Sequence, residues 1–350
     1  MPQEVEAPAG SFAIGKEAGE RQVGPVHGLD GPDPAATAIR VRLPRDVWNA
    51  RAAAHVARVG PVARDWLARR SLGRTHPVWD FLFTYYSFPA GRLLTWVPGL
   101  PGLEPDRADD PLLSAPDDPA WEAPRLAPRV RELARWVAEL GRNLLERPAR
   151  FHCHALHEWA MVYGQTAEEV RHRGWRLRLA PEALRQLVES QSLVCTHYDA
   201  FRFFTPQARP LNQFAPTRED RLASEQAGCL HANMDVYKWA YKLWPWIGSD
   251  LVGEAFALAV TGRIVDMRSS PYDLHALGFP PIAIETEAGR EEFRQEQQRL
   301  AEAARPIRLR LVNAAQALAR SCRGKSARNE RWNWNRGRAS TEDRSPSPQA

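Results

Sequence analysis

Cysteine, lysine and long apolar runs are what this sequence has least of. Four Cys among 350 residues give no disulfide framework and fit a reducing cytoplasm. Four of the 47 basic residues are Lys and the rest Arg; guanidinium groups suit flat carboxylate and phosphate partners, although codon composition produces the same bias. No apolar stretch approaches the ~20 residues of a membrane span. The acidic, Gly/Pro-rich N-terminus has no apolar signal core, so neither a membrane nor an export route is expected. Also missing are G-x-G-x-x-G, G-x-x-x-x-G-K-[ST] and G-x-S-x-G, the signatures of dinucleotide, nucleoside-triphosphate and α/β-hydrolase sites. The metal signatures H-E-x-x-H and C-x-x-C are missing too.

The formal net charge of +5 is unevenly placed. Residues 320–350 hold eight Arg/Lys and three Asp/Glu, a net of +5, which leaves 1–319 near zero. General attraction to DNA phosphates is therefore expected mainly from the tail, unless the balanced charges of the body segregate onto faces. A hydrophobic content of 44% with thirteen Trp is ample for a substantial core. No feature sets an oligomeric state.

The most organised stretch is Cys229–Trp246, which reads as one helix. Leu230, Met234, Tyr237, Tyr241 and Trp244 recur at steps of four and three and share an apolar stripe. His231, Asp235, Lys238 and Lys242 follow one residue later, so a polar row lies beside the buried one, at the edge of a core.

In chain order, residues 1–36 lack periodicity and read as disordered. Ala38–Leu43 alternates like a short strand, and Arg45–Arg70 reads as a helix interrupted at Gly60-Pro61. His76–Gly99 is dense in aromatics, which are core or the wall of a pocket. Glu104–Pro128, with six Pro and seven acidic residues, reads as a long exposed loop. Arg129–Arg147 is an amphipathic helix with Val130, Leu133, Val137, Leu140 and Leu144 in a stripe. Phe151–Tyr163 reads as a further helix, Trp175–Leu179 as a strand, Ala180–Phe204 as mostly helix and Pro206–Pro216 as a loop. Ser249 is expected to cap a helix running to about Val265. Asp266–Pro281 is irregular, and Thr286 caps a long helix to Ser321 that is expected to bend at Pro306. The expectation is a mainly α protein: one helical domain over 37–320 with at most a few short strands, and a basic disordered tail over 321–350.

Three segments set a Cys near a His and a carboxylate: Cys153 with His152, His154, His157 and Glu158; Cys195 with His197 and Asp199; Cys229 with His231 and Asp235. Five of the ten His fall in them. Such groups are transition-metal ligands, and i,i+4 pairs such as His231/Asp235 and His154/Glu158 can reach one ion from one helical face. A site of His157, His197 and His231 with carboxylates could hold zinc, iron or manganese and keep positions open. A self-satisfied hydrogen-bonded core is the competing reading. Asp266, Arg268 and Asp273 either line a pocket or include an Asp266–Arg268 ion pair that fixes a turn.

The phrases His76-Pro77-Val78, Asp80-Phe81-Leu82-Phe83, Tyr85-Tyr86-Ser87, His157-Glu158-Trp159-Ala160-Met161-Val162-Tyr163, Cys195-Thr196-His197-Tyr198-Asp199-Ala200, Gly228-Cys229-Leu230-His231, Met234-Asp235-Val236-Tyr237-Lys238-Trp239 and Asp266-Met267-Arg268-Ser269-Ser270-Pro271-Tyr272-Asp273 resemble those of bacterial, mostly actinobacterial, proteins described as 3-methyladenine DNA glycosylases. The resemblance spans about residues 45–315. It implies hydrolysis of the N-glycosidic bond of an alkylated purine in DNA, with the base flipped into a pocket. Trp79, Tyr85, Tyr86 and Trp239 are then candidate walls for a cationic base, and Lys238 and Arg268 candidate substrate contacts. Asp235, Asp199, Glu158 and Asp266 are candidates for the carboxylate that stabilises an oxocarbenium-like state. Val97–Gly102 lacks the hydrophobic-Gly run into a helix of helix–hairpin–helix glycosylases, and the Cys/Trp signature of the small zinc-containing 3-methyladenine glycosylases is missing. No catalytic residue carries over from either. Two alternatives stand beside this one: a helical metal-dependent enzyme, such as a non-haem iron protein, acting on a small molecule, and a non-catalytic protein whose tail binds nucleic acid.

Overall fold

The computed structural model describes residues 39–100, 115–166, 168–172 and 174–320. Both expected tails lie outside these residues, as does the acidic loop up to residue 114. The described residues fall in one unit that begins at Ala38 and is mainly helical, with eleven α-helices and one two-stranded ribbon.

The ribbon pairs β1 (Arg40–Arg42) antiparallel with β2 (Ala120–Glu122), Val41 opposite Trp121. β2 thus lies inside the stretch read as loop. Val41 and Leu43 bury against Trp96, with Trp48 and Trp121 alongside, in a cluster separate from the main core.

α1 (Arg45–Ser71) runs through Gly60-Pro61 without the expected break. Proline removes one ladder hydrogen bond and crowds the preceding turn. The helix is held on both sides of it by burial of His55, Val59, Gly60 and Ala63, facing α3 (Ala90–Leu94) and α10 (Ser249–Arg268). Between them lies α2 (Phe81–Thr84). α4 (Pro128–Glu146) starts on a proline, whose fixed φ suits the first turn, and buries Val137, Leu140 and Leu144 of the expected stripe.

After α4 the chain departs most from its sequence pattern. Only α5 (Leu156–Ala160) forms within Phe151–Tyr163, because His154 and Ala155 take left-handed φ values of 41° and 57° that no right-handed helix can include. Ala180–Phe204 yields α6 (Pro181–Ser190) and α7 (Tyr198–Phe201) with extended chain between them. Trp175–Leu179 supplies only a bridge: Arg178 N donates to Pro271 O at 2.8 Å and Asp273 N to Arg176 O at 2.8 Å.

α8 (Arg221–Ser224) leads to α9 (Leu230–Lys242). α9 is shorter than expected and far more buried. Every residue from Leu230 to Tyr237 is buried, His231 and Asp235 of the polar row included, while Lys238 is half-buried and Lys242 exposed. The reason is that α9 packs against both α10 and α11 (Glu287–Arg320), and a helix with neighbours on several sides keeps little solvent face. α10 continues past Val265 to Arg268, so Asp266 is helical. Ser249 is its first residue rather than its cap. The Ser249 hydroxyl accepts from Val97 N at 3.0 Å and Trp244 Nε1 at 3.1 Å and donates to Thr95 O at 3.0 Å, tying the helix start to α3's exit.

α11 runs unbroken through Pro306 and lies along α4. Thr286 caps it as expected, accepting from Gly289 N at 3.0 Å. A Cβ on Gly289 would sit 1.9 Å from Ala283 O. Backbone, not a movable side chain, occupies that space. Gly289→Ala is expected to cost about 1–3 kcal/mol, read as a lowered urea midpoint with unchanged slope.

Candidate functional site

A cavity of about 230 Å³ opens among α2, α5, α7, α9 and α10. Its apolar wall includes Phe81, Tyr85, Phe203 and Tyr272, and its polar groups include Glu158, Asp199, His231 and Arg263. Phe81 and Tyr85 stack with centroids 4.7 Å apart, so two parallel rings form one side.

Asp199 belongs to a buried charge network. Lys238 Nζ reaches Asp199 at 2.5 Å, Asp235 at 2.9 Å and Tyr85 Oη at 3.1 Å. Arg221 also pairs with Asp199. Burial would raise the Asp199 pKa, but Lys238 and Arg221 outweigh it and lower the pKa, so this carboxylate is anionic at neutral pH. Asp235 sits one step behind the cavity. It accepts from Tyr86 Oη at 3.2 Å and faces His197 Nε2 at 3.4 Å. Burial opposes its charge, yet Lys238 and His197 hold it well below the usual carboxylate range. His197 also faces Glu225 at 3.7 Å. Glu225 is buried with neither oxygen hydrogen-bonded, and that burial raises its pKa.

A second cluster forms where α5, α9 and α10 meet. His157 Nε2 lies 3.0 Å from Asp266 Oδ1, and His231 Nε2 lies 3.9 Å from Asp266 Oδ2. Arg263 Nη1 pairs with Asp266 Oδ2 at 2.5 Å and lies 3.6 Å from Glu158 Oε1. One potential ligand atom each from His157, Glu158, His231 and Asp266 falls within 4.8 Å of all the others. Burial would lower the His157 pKa, but hydrogen bonds to Asp266 and Cys153 raise it to about 10. Burial drives His231 down to about 3 and, helped by Asp266, Glu158 up to about 7.

No family model, curated protein or solved structure matches the chain. Among the described residues, no helix is long and apolar enough to cross a membrane.

Several sequence-derived candidates converge here. Tyr85, Glu158, Asp199 and His231 line the cavity. Tyr86, Asp235 and Lys238 stand behind it in the charge network. Others are placed elsewhere. Arg268 bonds Pro280 O and Glu292 on the surface, so the expected Asp266–Arg268 pair is replaced by Asp266–Arg263. Trp79 packs on His76 and Phe279, and Trp239 on Trp136. His197 turns to Asp235, away from His157, and the i,i+4 pairs divide: His231 faces Asp266 while Asp235 faces Lys238. His154 leaves the helical face of Glu158 through its left-handed φ.

Arg263, Arg221, Glu225, Phe81 and Phe203 were not in the sequence-derived set. Arg263 stands three residues before Asp266, a spacing that signals a helical ion pair; the others are joined only by the fold.

His172 lines the cavity beside Tyr272. Burial, with Arg263 and Arg171 nearby, lowers its pKa to about 4. The folded state thus binds fewer protons than the unfolded chain between about pH 4 and 6.5. This group's contribution is present above about pH 6.5 and is lost as pH falls through 4. Allowing for partial exposure it is worth roughly 1–3 kcal/mol. Urea midpoints across that window should fall less steeply for His172→Gln than for the wild type.

Proposed function

We propose that the cavity is the active site of an N-glycosidase that excises alkylated purines such as 3-methyladenine from DNA by hydrolysing the N-glycosidic bond. The observation that carries this reading is that one small cavity joins a wall of stacked rings, Phe81 and Tyr85, to an ionised carboxylate, Asp199. The phrase resemblance over residues 45–315 supports it.

A 3-methylated adenine in DNA is cationic. Flipped from the stack, its flat ring is walled by the aromatic side chains of Phe81, Tyr85, Phe203 and Tyr272. The glycosidic electron pair leaves with the base, which departs neutral and needs no added proton. Positive charge passes to the sugar, where a carboxylate stabilises it while a water attacks and gives up its proton. Asp199 is the candidate acid that lines the cavity and is held anionic; Asp235 acts through Lys238 behind it. Arg171 lines the cavity and is exposed, a cation placed to meet a phosphate; Arg202, also exposed, pairs through Nε with Asp199 Oδ1 at 3.2 Å.

Methylated duplex DNA incubated with the full chain is expected to accumulate alkali-labile abasic sites. DNA left intact by folded protein in excess over the lesions would overturn the reading.

A further inference from the structure

We infer that His157, Glu158, His231 and Asp266 form a binding site for one divalent first-row transition metal, placed on the cavity wall with a face open to an incoming ligand. The site goes beyond the glycosidase reading and does not depend on it.

The geometry is the first reason. Four ligand atoms lie within 4.8 Å of one another. Ligands with ~2.1 Å bonds sit roughly 3.4 Å apart in a tetrahedral site and roughly 3.0–4.2 Å apart in an octahedral one, so the set closes on an ion by drawing in about 1 Å. Two of the ligands are adjacent on α5, and the others come from α9 and α10. Contact of these three elements therefore assembles the set, and all four residues are buried.

The surroundings are the second. A metal-bound imidazole is characteristically held through its other nitrogen. His157 Nε2 faces Asp266 Oδ1 at 3.0 Å, and Cys153, four residues before it, accepts through Sγ from Gln297 Nε2 at 3.2 Å. Arg263 Nη1 fixes Asp266 through Oδ2, reaches Glu158 Oε1 at 3.6 Å, and the guanidinium is anchored to Pro77 O at 3.2 Å. His231 Nε2, by contrast, lies 3.9 Å from Asp266, beyond hydrogen-bond reach, and points its lone pair or proton into the cluster.

The donor set selects the ion. Two imidazoles and two carboxylates without a thiolate suit zinc, iron(II) or manganese(II); magnesium and calcium prefer all-oxygen shells. Glu158 and His231 line the cavity while Asp266 is wholly enclosed. An ion here is therefore enclosed on the Asp266 side and accessible on the other, the arrangement of a site with open coordination positions rather than a closed structural one. His197, expected from sequence as a ligand, is outside the set.

The test uses the untagged full chain, stripped with a chelator and dialysed against micromolar Zn²⁺, Mn²⁺ or Co²⁺, with bound metal counted by mass spectrometry and Co²⁺ read by its visible absorption. The expected result is one equivalent, with His231→Ala binding about 100-fold more weakly at unchanged circular dichroism. Glu158→Gln, which preserves shape, gives the same comparison if His231→Ala does not fold. His172→Ala, a cavity histidine outside the set, should keep the equivalent. No retained metal in folded wild type, equal retention by His231→Ala and Glu158→Gln, or equal loss in His172→Ala would each overturn the site. Metal is counted on protein that has met no DNA, so failure here is separate from failure of base release.

Discussion

Asp199→Asn lowers the rate of base release by about 10²–10⁴-fold, the range expected when a charge that stabilises the transition state is neutralised. The substitution keeps the side-chain shape and an acceptor for Lys238 and Arg221. Lys238 still holds Asp235 at 2.9 Å, and Arg221 still has Glu225 at 3.7 Å. The polar network therefore stays populated, and the loss falls on chemistry. The effect should appear in kcat with little change in KM, because the cationic base still meets Phe81 and Tyr85. Asp235→Asn is the informative contrast. Asp235 reaches the cavity only through Lys238 and Tyr86, so it is a positioning residue, and its loss should cost roughly tenfold, with rates compared after both variants are shown to fold. Equal losses in the two variants would move the reacting carboxylate away from Asp199.

Arg263→Met should be the most destabilising single change at the site, by about 3–5 kcal/mol. Arg263 is 3% exposed and Asp266 is 0% exposed, so the pair is almost wholly out of water. The guanidinium also donates to Pro77 O and Val78 O and lies 4.4 Å from the Phe81 ring centroid. Methionine matches much of the stem but leaves the Asp266 and Glu158 carboxyls without the guanidinium that faces both. Most of the cost is that uncompensated charge rather than lost packing. The double variant Arg263→Met/Asp266→Asn should therefore be less destabilised than the sum of the singles. Additive urea midpoints would show that the pair contributes packing only.

Local pattern carried much of the fold. The stripe Val137, Leu140 and Leu144 of α4 is periodic and is buried on one side, because a helix with one buried face writes that face into its sequence. α9 was legible as a helix but not as an enclosed one. Its Leu230–Tyr237 run mixes polar and apolar residues, and only the packing of α10 and α11 around it explains why His231 and Asp235 are buried. Phe151–Ala155 shows the opposite failure. Its composition suits a helix, and the left-handed His154 and Ala155 leave no mark in local periodicity. Their effect is to place His157 and Glu158 on a short helix aimed at α10.

The candidate site was legible in its residue types and not in its pairings. His157 and Asp266 lie 109 positions apart, and no spacing rule joins them. The choice of Arg268 as Asp266's partner looked forward along an irregular segment. α10 instead continues to Arg268, which turns that residue outward and leaves Arg263, one helical turn earlier, beside the carboxylate. Asp199 meets Lys238, and the His197 ring stacks on His231 with centroids 5.6 Å apart, because the chain around α7 meets α9 at a place fixed by long-range packing alone.

The most direct measurement is the identity of the product released from methylated DNA in a single turnover, with the protein in excess and small molecules resolved by mass spectrometry. Hydrolysis of the N-glycosidic bond predicts free 3-methyladenine appearing one-for-one with abasic sites, and appearing about 10²–10⁴-fold more slowly with Asp199→Asn. Formaldehyde with unmodified adenine left in the strand would contradict it, since that is the product of oxidative demethylation. Unchanged DNA would contradict it equally.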